Sequence, residues 1–484
     1  MLPVFTTAQI RAIEQANSTH GLMEKAGLAA ATLAQELADD GLPILILAGP
    51  GNNGGDALVA ARYLKAAWYA VDVVLTGEAQ KLPPDAAAAH AAWIACGGES
   101  MPEIPPARDY CLVIDGLFGI GLARNLDDRH TALVNTVNAL NAPILALDVP
   151  SGLCADTGRV LGAAVIADHT LTFIGIKPGL CTLDGPDHVG MLHATDLGIG
   201  TPESQGWLVN AAPALPNPRR KNSHKGRYGS VAVLGGNDTM AGAALLAARA
   251  ALLCGAGRVY CGLLAHNAPA VDFSQPELML RDGDALLQLE AISAWVVGPG
   301  MGRTPKAIAL LHAALQHPAP VVLDADALHL VATSTDMQAA FKLRAATILT
   351  PHPGEAASLL ACSTAEIQQD RAAAALKIAR QTQAIVVLKG CGSIIATPDG
   401  RWFINTSGNP GLSSAGMGDV LAGIVASLIA QDMQPLDATL LGVYLHGAAA
   451  DNLVADGIGP VGLTASEIVQ EARNWLNQAQ ADES

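Results

Sequence analysis

The chain is 484 residues long and carries 28 lysines and arginines against 44 aspartates and glutamates, a formal charge of −16. That balance argues against the basic stripe of a nucleic-acid-binding surface, and no uncharged apolar run reaches the ~18 residues of a membrane span. The eight cysteines show no CxxC spacing, so they are read as reduced and mostly buried, with no zinc site. No secretory pattern precedes Arg11 and Glu14. The expectation is a soluble, cytoplasmic protein of two to four domains.

An alanine-rich helical opening (Ala8 to Asp39) leads to a short apolar strand, Pro43 to Ala48, of the kind buried in a parallel sheet. It runs into GPGNNGGD, Gly49 to Asp56, and then a helical pattern, Ala57 to Ala67. Strand, glycine loop and helix together form a mononucleotide-binding unit, although the loop is not GxGxxG. Asn52 and Asn53 add amides that suit either a cation or an amide-bearing substrate. Further strands are predicted at Val71–Leu75, Cys111–Asp115, Pro143–Asp148 and Thr170–Ile176, with helices at Pro84–Ala95 and Asp127–Leu140 between them. Ligands of open α/β sheets bind beyond the carboxyl ends of the strands. Asp56, Asp115 and Asp148 are therefore expected to converge there, and Lys177 brings a cation to the same edge.

Pro202 to Pro218 has the composition of a linker, followed by a basic cluster of Arg219, Arg220, Lys221, His224, Lys225 and Arg227. The domains are expected at 1–206 and 215–484. Strand and helix then alternate again through Ser230–Leu234, Ala241–Cys254, Arg258–Leu263, Ala294–Val297, Pro305–His317, Val321–Asp324, Thr347–Thr350 and Ile385–Lys389. A hairpin, Ser393–Ala396 with Trp402–Asn405, completes the pattern. The fold class is α/β, with two open doubly wound sheets.

The stretch GNPGLSSAGMGDVLAG, Gly408 to Gly423, organises the second half. Its glycines feed an apolar helix whose first amides have no internal partner and carry the positive end of the helix dipole, which makes a cradle for an anion. Asp419 stands beside that anion, placed to take a proton from a substrate hydroxyl. Glycine-rich or polar loops at GGND (Gly235), GPGMG (Gly298), DADAL (Asp324), TPHPGE (Thr350) and KGCGS (Lys389) point to the same crevice.

GNNGGDALVAARYL, DGLFGIGLARNL and ALDVPSGLCADTG, with Lys177 in TFIGIKPGL, resemble the epimerase domain of the bifunctional NAD(P)H-hydrate repair enzymes. HKGRYGSVAVLGG, VVGPGMG, LDADAL, LTPHPGEAASLL, VVLKGCGSI and the GxGD loop resemble the ADP/ATP-dependent dehydratase branch of the ribokinase-like fold. The first resemblance implies a Rossmann-like domain that binds hydrated NADH and NADPH (NADHX and NADPHX) through Asn52, Asn53, Gly54, Gly55 and Asp56, and through Gly119, Ile120, Gly121, Leu122, Ala123, Arg124 and Asn125. It also implies a potassium ion on Asn53, Asp115 and Ser151, proton transfer at ring carbon C6 by Asp148, and Lys177 as a second candidate. The second implies that Lys389, Gly390, Cys391, Gly392, Ser393 and Gly418 hold ADP or ATP, and that a magnesium ion accompanies it. Gly242, Ala243, Met301, Gly302, His352 and Asp419 would line the hydrate pocket, and Asn222 to Gly226 would close over phosphates. A homo-oligomer is expected.

Two positions depart from the family pattern. Ala57 stands where a glycine is usual, and Ala415 replaces the first of two adjacent glycines, which would shift the cradle. The expected chemistry is phosphorylation of the C6 hydroxyl of the S hydrate, followed by loss of phosphate, with the epimerase supplying the S form from the R form. A small-molecule kinase fused to an unrelated nucleotide-binding domain would share the GxGD loop but accumulate a phospho-product. A non-catalytic sensor would not need Asp148 and Asp419.

Overall fold

The computed structural model describes residues 1–484 except 40, 107, 201–202, 342–345 and 483–484. The chain divides into two compact units, one of Pro3–Gln205 and one of Met1–Leu2 with Gly206–Ser484.

In the first unit seven strands form one sheet in the order Ser100–Met101, Val71–Leu75, Ile44–Ala48, Leu112–Gly116, Ile144–Leu147, His169–Phe173, Met191–Thr195. Every neighbouring pair is parallel. The run ILILA is buried on both faces because successive side chains point opposite ways. Ile44 and Ile46 join the core under the helices Leu22–Leu37 and Asn52–Ala66. Leu45 and Leu47 join the core under Val134 and Val137 of the helix Asp128–Asn138. The chain order reverses between Ile44–Ala48 and Leu112–Gly116, so the loops after these two strands part and leave a crevice.

The alanine-rich helical opening consists of the helices Thr7–Ala16 and Leu22–Leu37 with a short 3-10 turn, Ser18–His20, between them. Gly21, with φ +62°, begins the second. The helix after the first glycine loop starts at Asn52, five residues before the apolar pattern, so Asn52 and Asn53 lie in its first turn.

The strands from Gly206 onward form a second sheet in the order Gly206–Val209, Trp402–Asn405, Ser393–Ala396, Ile385–Leu388, Thr347–Leu349, Val321–Leu323, Ala294–Val297, Ser230–Gly235, Arg258–Leu263, Met279–Asp282. The expected hairpin is its antiparallel part. Gly206–Val209 falls inside the stretch read as a linker, yet it pairs in parallel with Trp402–Asn405; Thr201 and Pro202 lie outside the described residues. Order reverses between Ser230–Gly235 and Ala294–Val297, again leaving a crevice beyond their carboxyl ends.

The helix Met417–Ala430 packs on the helix Ala241–Leu253 at backbone distance. A Cβ placed on Gly423 would lie 2.1 Å from the carbonyl oxygen of Ala247. That contact fixes the height at which Asp419 meets the sheet edge.

Candidate active sites

In the first unit the crevice is a cleft of about 660 Å3 lined by the loop Leu117–Arg124, by Asn52, Asn53 and Asp56, and by Asp148 and Lys177. Asp148 follows the strand Ile144–Leu147 in the left-handed region, with φ +66°, a conformation aspartate tolerates better than most residues. Its amide donates to the carbonyl of Leu171 at 2.7 Å, which turns the carboxylate away from the strand and into the cleft. There it meets the Lys177 ammonium directly. Lys177 is completely buried and also donates to Thr172 Oγ1 at 2.9 Å and the Phe173 carbonyl at 2.7 Å. All three of its protons are thus committed.

Two further carboxyls face this pair. Burial, helped by the charges of Asp148 and Glu14, pushes Asp56 well above the usual carboxylate range, with Lys177 opposing. Glu14 is raised by burial and by Asp148. A carboxylate paired to a lysine beside a carboxyl that favours its proton is an arrangement able both to take and to give a proton.

Asp115 does not reach the cleft. It is fully buried one strand over, accepting from the Ser151 amide at 2.8 Å, the Ser151 hydroxyl at 2.7 Å and the Leu117 amide at 3.2 Å. Burial raises its carboxyl, these bonds work against that rise, and no lysine or arginine among the described residues pairs with it. Asn53, buried beside it, donates to the Leu147 carbonyl at 3.1 Å, while its Oδ1 has no partner. The Asn53 backbone carbonyl would lie 3.0 Å from a Cβ on Gly116, the residue after Asp115. Hard oxygens with an orphaned carbonyl and an uncompensated buried carboxylate fit a monovalent cation.

The glycines of this site divide in role. A Cβ on Gly119 would stand 3.1 Å from Asp148 Oδ2 and 3.3 Å from Asn53 Cγ. Gly54 and Gly55 are buried, and a Cβ on Gly54 would strike the Gly49 carbonyl at 2.0 Å, so they serve helix packing and do not face the cleft. Asn125 does not line it either. Ala57 is fully buried, and its methyl occupies the space left by Gly116, where a Cβ would lie 2.5 Å away.

In the second unit the helix carrying Asp419 begins at Met417, capped by Gly416 at φ +88° with no side-chain cap. Its first amides are therefore open to an anion. Ala415 is not among the described residues with positive φ, whereas Gly416 is, so the residue that departs from the family pattern is not asked for that conformation. Gly408 and Asn409 are tied to Asp451 at 2.8 and 2.9 Å, which anchors the approach to the loop.

Lys389 follows the strand Ile385–Leu388 and bonds Asp324 Oδ1 at 2.7 Å, with Glu355 Oε2 at 4.0 Å. A Cβ on Gly418 would stand 2.9 Å from Lys389 Nζ and 3.2 Å from Asp324 Oδ2, so the lysine, the aspartate and the helix terminus share one spot. Burial, then repulsion from Asp324, raises Asp419 to about 7 against the pull of Lys389. Burial also raises Glu355 to about 7. His352 caps the helix Pro353–Leu360: its Nδ1 accepts from the amides of Gly354 and Glu355, and its Nε2 lies 3.3 Å from Glu355 Oε1. Burial and Lys389 lower its affinity for a proton.

Ala325 stands between Asp324 and Asp326 at φ +51°, ψ −121°, a region L-residues avoid. On one side Asp324 faces Lys389 and Thr350; on the other Asp326 Oδ2 accepts from the Gly302 amide at 2.9 Å. Gly300 packs against Met240 and Ala243, bringing the loop Gly298–Gly302 to the helix that bears Gly242 and Ala243. Met301 is fully buried. Gly390 closes on the Arg371 guanidinium, which is nearly buried and donates to the carbonyls of Leu388 and Lys389 at 3.3 Å.

Asp324, Glu355 and Arg371 carry no role in the sequence reading, although the first two lie in motifs quoted for the resemblance. His446 left no signal at all. It is buried, hydrogen-bonded to the Met417 backbone, pushed down to about 4 chiefly by burial, and its Nε2 has no partner. Asn222–Gly226 lies elsewhere. Gly229, three residues on, meets the carbonyl of Ala430 at the far end of the Asp419 helix; its 14 residues span about 20 Å. Within this unit that loop does not close over the cradle.

Residues 231–473 match the family model described as NAD(P)H-hydrate dehydratase, and residues 19–179 match that of the YjeF-related protein N-terminus. The chain is 37% identical to a bifunctional NAD(P)H-hydrate repair enzyme of Escherichia coli, over 96% of this chain and 90% of that one. It is 38% identical to one of Vibrio cholerae, over 98% of each. Among solved structures, an ADP/ATP-dependent NAD(P)H-hydrate dehydratase of Bacillus subtilis, co-crystallised with ATP and Mg2+, matches at 32% identity with a TM-score of 0.49, covering 55% of this chain and 94% of that one.

Proposed function

This chain belongs to the bifunctional NAD(P)H-hydrate repair enzymes, a nucleotide-dependent NAD(P)H-hydrate dehydratase joined to an NAD(P)H-hydrate epimerase, and on that premise we propose how its own residues divide the work. The observation that carries the reading is the raised Asp419 carboxyl at an uncapped helix N-terminus beside Lys389. Hydration puts a hydroxyl on C6 of the reduced ring, and hydroxide leaves poorly. Asp419 takes the proton of the C6 hydroxyl; the oxygen attacks the terminal phosphorus of ADP or ATP, and the shortened nucleotide departs. The ring nitrogen lone pair then expels orthophosphate from C6, and loss of a C5 proton restores the dihydronicotinamide. The amides of Met417 and Gly418 and the Lys389 ammonium hold the phosphoryl charge throughout.

Magnesium fits as a companion of the nucleotide. Among the described residues no group of three His, Cys, Asp or Glu side chains forms a metal cage, and magnesium is commonly held by one or two carboxylates plus substrate phosphates. Asp324 and Glu355 are the carboxylates at hand, and the ion would neutralise charge on the phosphates.

In the first unit, inversion at C6 requires that carbon to become planar: as the hydroxyl proton leaves, the C6–N1 bond breaks to give an open-chain aldehyde and N1 takes a proton, and reclosure on the opposite face of the aldehyde returns both protons. Asp148, oriented by Lys177, takes the proton and Asp56 supplies one. A potassium ion on Asn53, Asp115 and Ser151 would supply the positive charge that Asp115 lacks and fix the loops on either side of the cleft. No helix among the described residues is long and apolar enough to cross a membrane, and a cytoplasmic location suits cysteines read as reduced.

The test is incubation with mixed hydrate epimers, with and without ADP or ATP, following dihydronicotinamide absorbance and orthophosphate. Both should appear together and only with nucleotide. A phosphorylated ring that accumulates would identify a kinase instead.

A further inference from the structure

Beside the cleft that holds Asp148 and Lys177, a second one of about 610 Å3 opens in the same unit. The two share Arg11, Glu14, Asn52, Asp56 and Phe173, but neither the Asp148–Lys177 pair nor the loop Gly119–Arg124 lines the second. Apart from the shared Asp56, the ring chemistry makes no use of it.

The shared wall is where Arg11 stands, its Nη2 3.9 Å from the position of a Cβ on Gly121 in the glycine loop. A guanidinium beside loop amides at the junction of two clefts suits a diphosphate. The second cleft has a different character from the first. Leu22, Met23, Ala88 and Ala92 give it apolar surface for a flat ring, while Asp85 offers a carboxylate that only accepts hydrogen bonds. The Arg62 guanidinium within it is taken by Glu24. An aromatic base with an exocyclic amine, on a sugar whose hydroxyls donate, matches such a lining.

The molecule to be inverted is two nucleosides joined by a diphosphate. We infer that the second cleft is the adenosine subsite of the epimerase, with Arg11 taking the diphosphate between the two clefts. This rests on the epimerase reading above. The nicotinamide half lies against Asp148 and Lys177, and the adenosine half anchors the substrate without touching the reacting carbon.

The experiment measures epimer interconversion by the full chain, without phosphoryl donor, on hydrated NADH and on hydrated reduced nicotinamide mononucleotide, which lacks the AMP half. Ala88 is exposed on the helix Pro84–Ala95, so Ala88→Trp fills the cleft from the surface; Asp85→Ala is the milder variant, and unchanged epimerisation of the mononucleotide reports an intact first unit. Ala88→Trp should raise KM for hydrated NADH about tenfold with little change in kcat, and leave the mononucleotide unaffected. AMP should inhibit the wild type competitively and the variant far less. An unchanged KM for hydrated NADH, or an equal rise for both substrates, overturns the subsite. Failure of the wild type to epimerise either substrate overturns the epimerase reading itself, a different result.

Discussion

Lys389 Nζ lies 2.7 Å from Asp324 Oδ1 and 4.0 Å from Glu355 Oε2, so one ammonium serves a group of carboxylates that also includes Asp419. A single cation cannot offset three anions in a partly buried site. Asp324 takes the direct bond and shares it with Thr350, and Glu355 and Asp419 are left with carboxyls at about 7.

Dehydratase kcat should therefore rise with pH through about 7, as Asp419 gains its charge. Because Glu355 titrates in the same range, the midpoint belongs to the pair. Asp324→Asn removes the repulsion and frees Lys389 to face Asp419, and both changes lower the Asp419 pKa. The rising limb should move about one pH unit to the acid side, as read from a kcat–pH profile. A fall in rate with an unmoved limb would deny Asp324 this part.

Asp419→Asn keeps the shape of the first turn and loses the base. Dehydration should slow about 100- to 10,000-fold, while nucleotide affinity measured by titration calorimetry stays close to wild type. Weak binding with normal turnover would remove Asp419 from the chemistry.

Lys177→Met leaves Asp148 without its cation. Epimerisation should be lost and the first unit destabilised by roughly 3–5 kcal/mol, the usual result of orphaning one member of a buried pair. Asp148→Asn should abolish epimerisation at a smaller cost in stability. In both, repair of the S hydrate should continue while the R form is stranded; equal loss of both epimers would refute the division of labour.

Replacing potassium by a bulky organic cation should lower the melting temperature of the wild type by several degrees, as expected of any ligand held by the folded state alone. Asn53→Ala or Ser151→Ala should erase the difference between the two salts. Melting curves followed by tryptophan fluorescence decide it.

Ala415→Gly restores the glycine pair usual in the family. Since Gly416 already supplies the positive φ, dehydratase kcat/KM should stay within about twofold of wild type. A large gain would show that Ala415 constrains the cradle after all.

Much of this was legible in the chain. Short apolar strands ending in glycine loops declared both sheets, since a strand buried on two faces leaves a continuous apolar run. Asp419 and Asp148 were marked by what stood next to them. Lys177 was visible only as a charge after a strand; its complete burial depends on Thr172 and Phe173, which no pattern connects to it. Gly206–Val209 was hidden because four residues beside a proline-rich tract give too little periodicity to separate a strand from a linker. His446 lies within a helix apolar nearly all round, where one imidazole has no sequence context. Glu14, two helices before the glycine loop, is brought to the cleft only by tertiary packing.

Ala325 ties two recognition tasks to one backbone rotation. Asp324 faces Lys389, proposed above to serve the nucleotide, and Asp326 faces the Gly302 amide on the proposed hydrate side, so turning the backbone between them would re-aim both. An engineer who wished to broaden the substrate pocket through this segment would disturb the donor pocket with the same change. The two specificities are inherited together and have to be redesigned together.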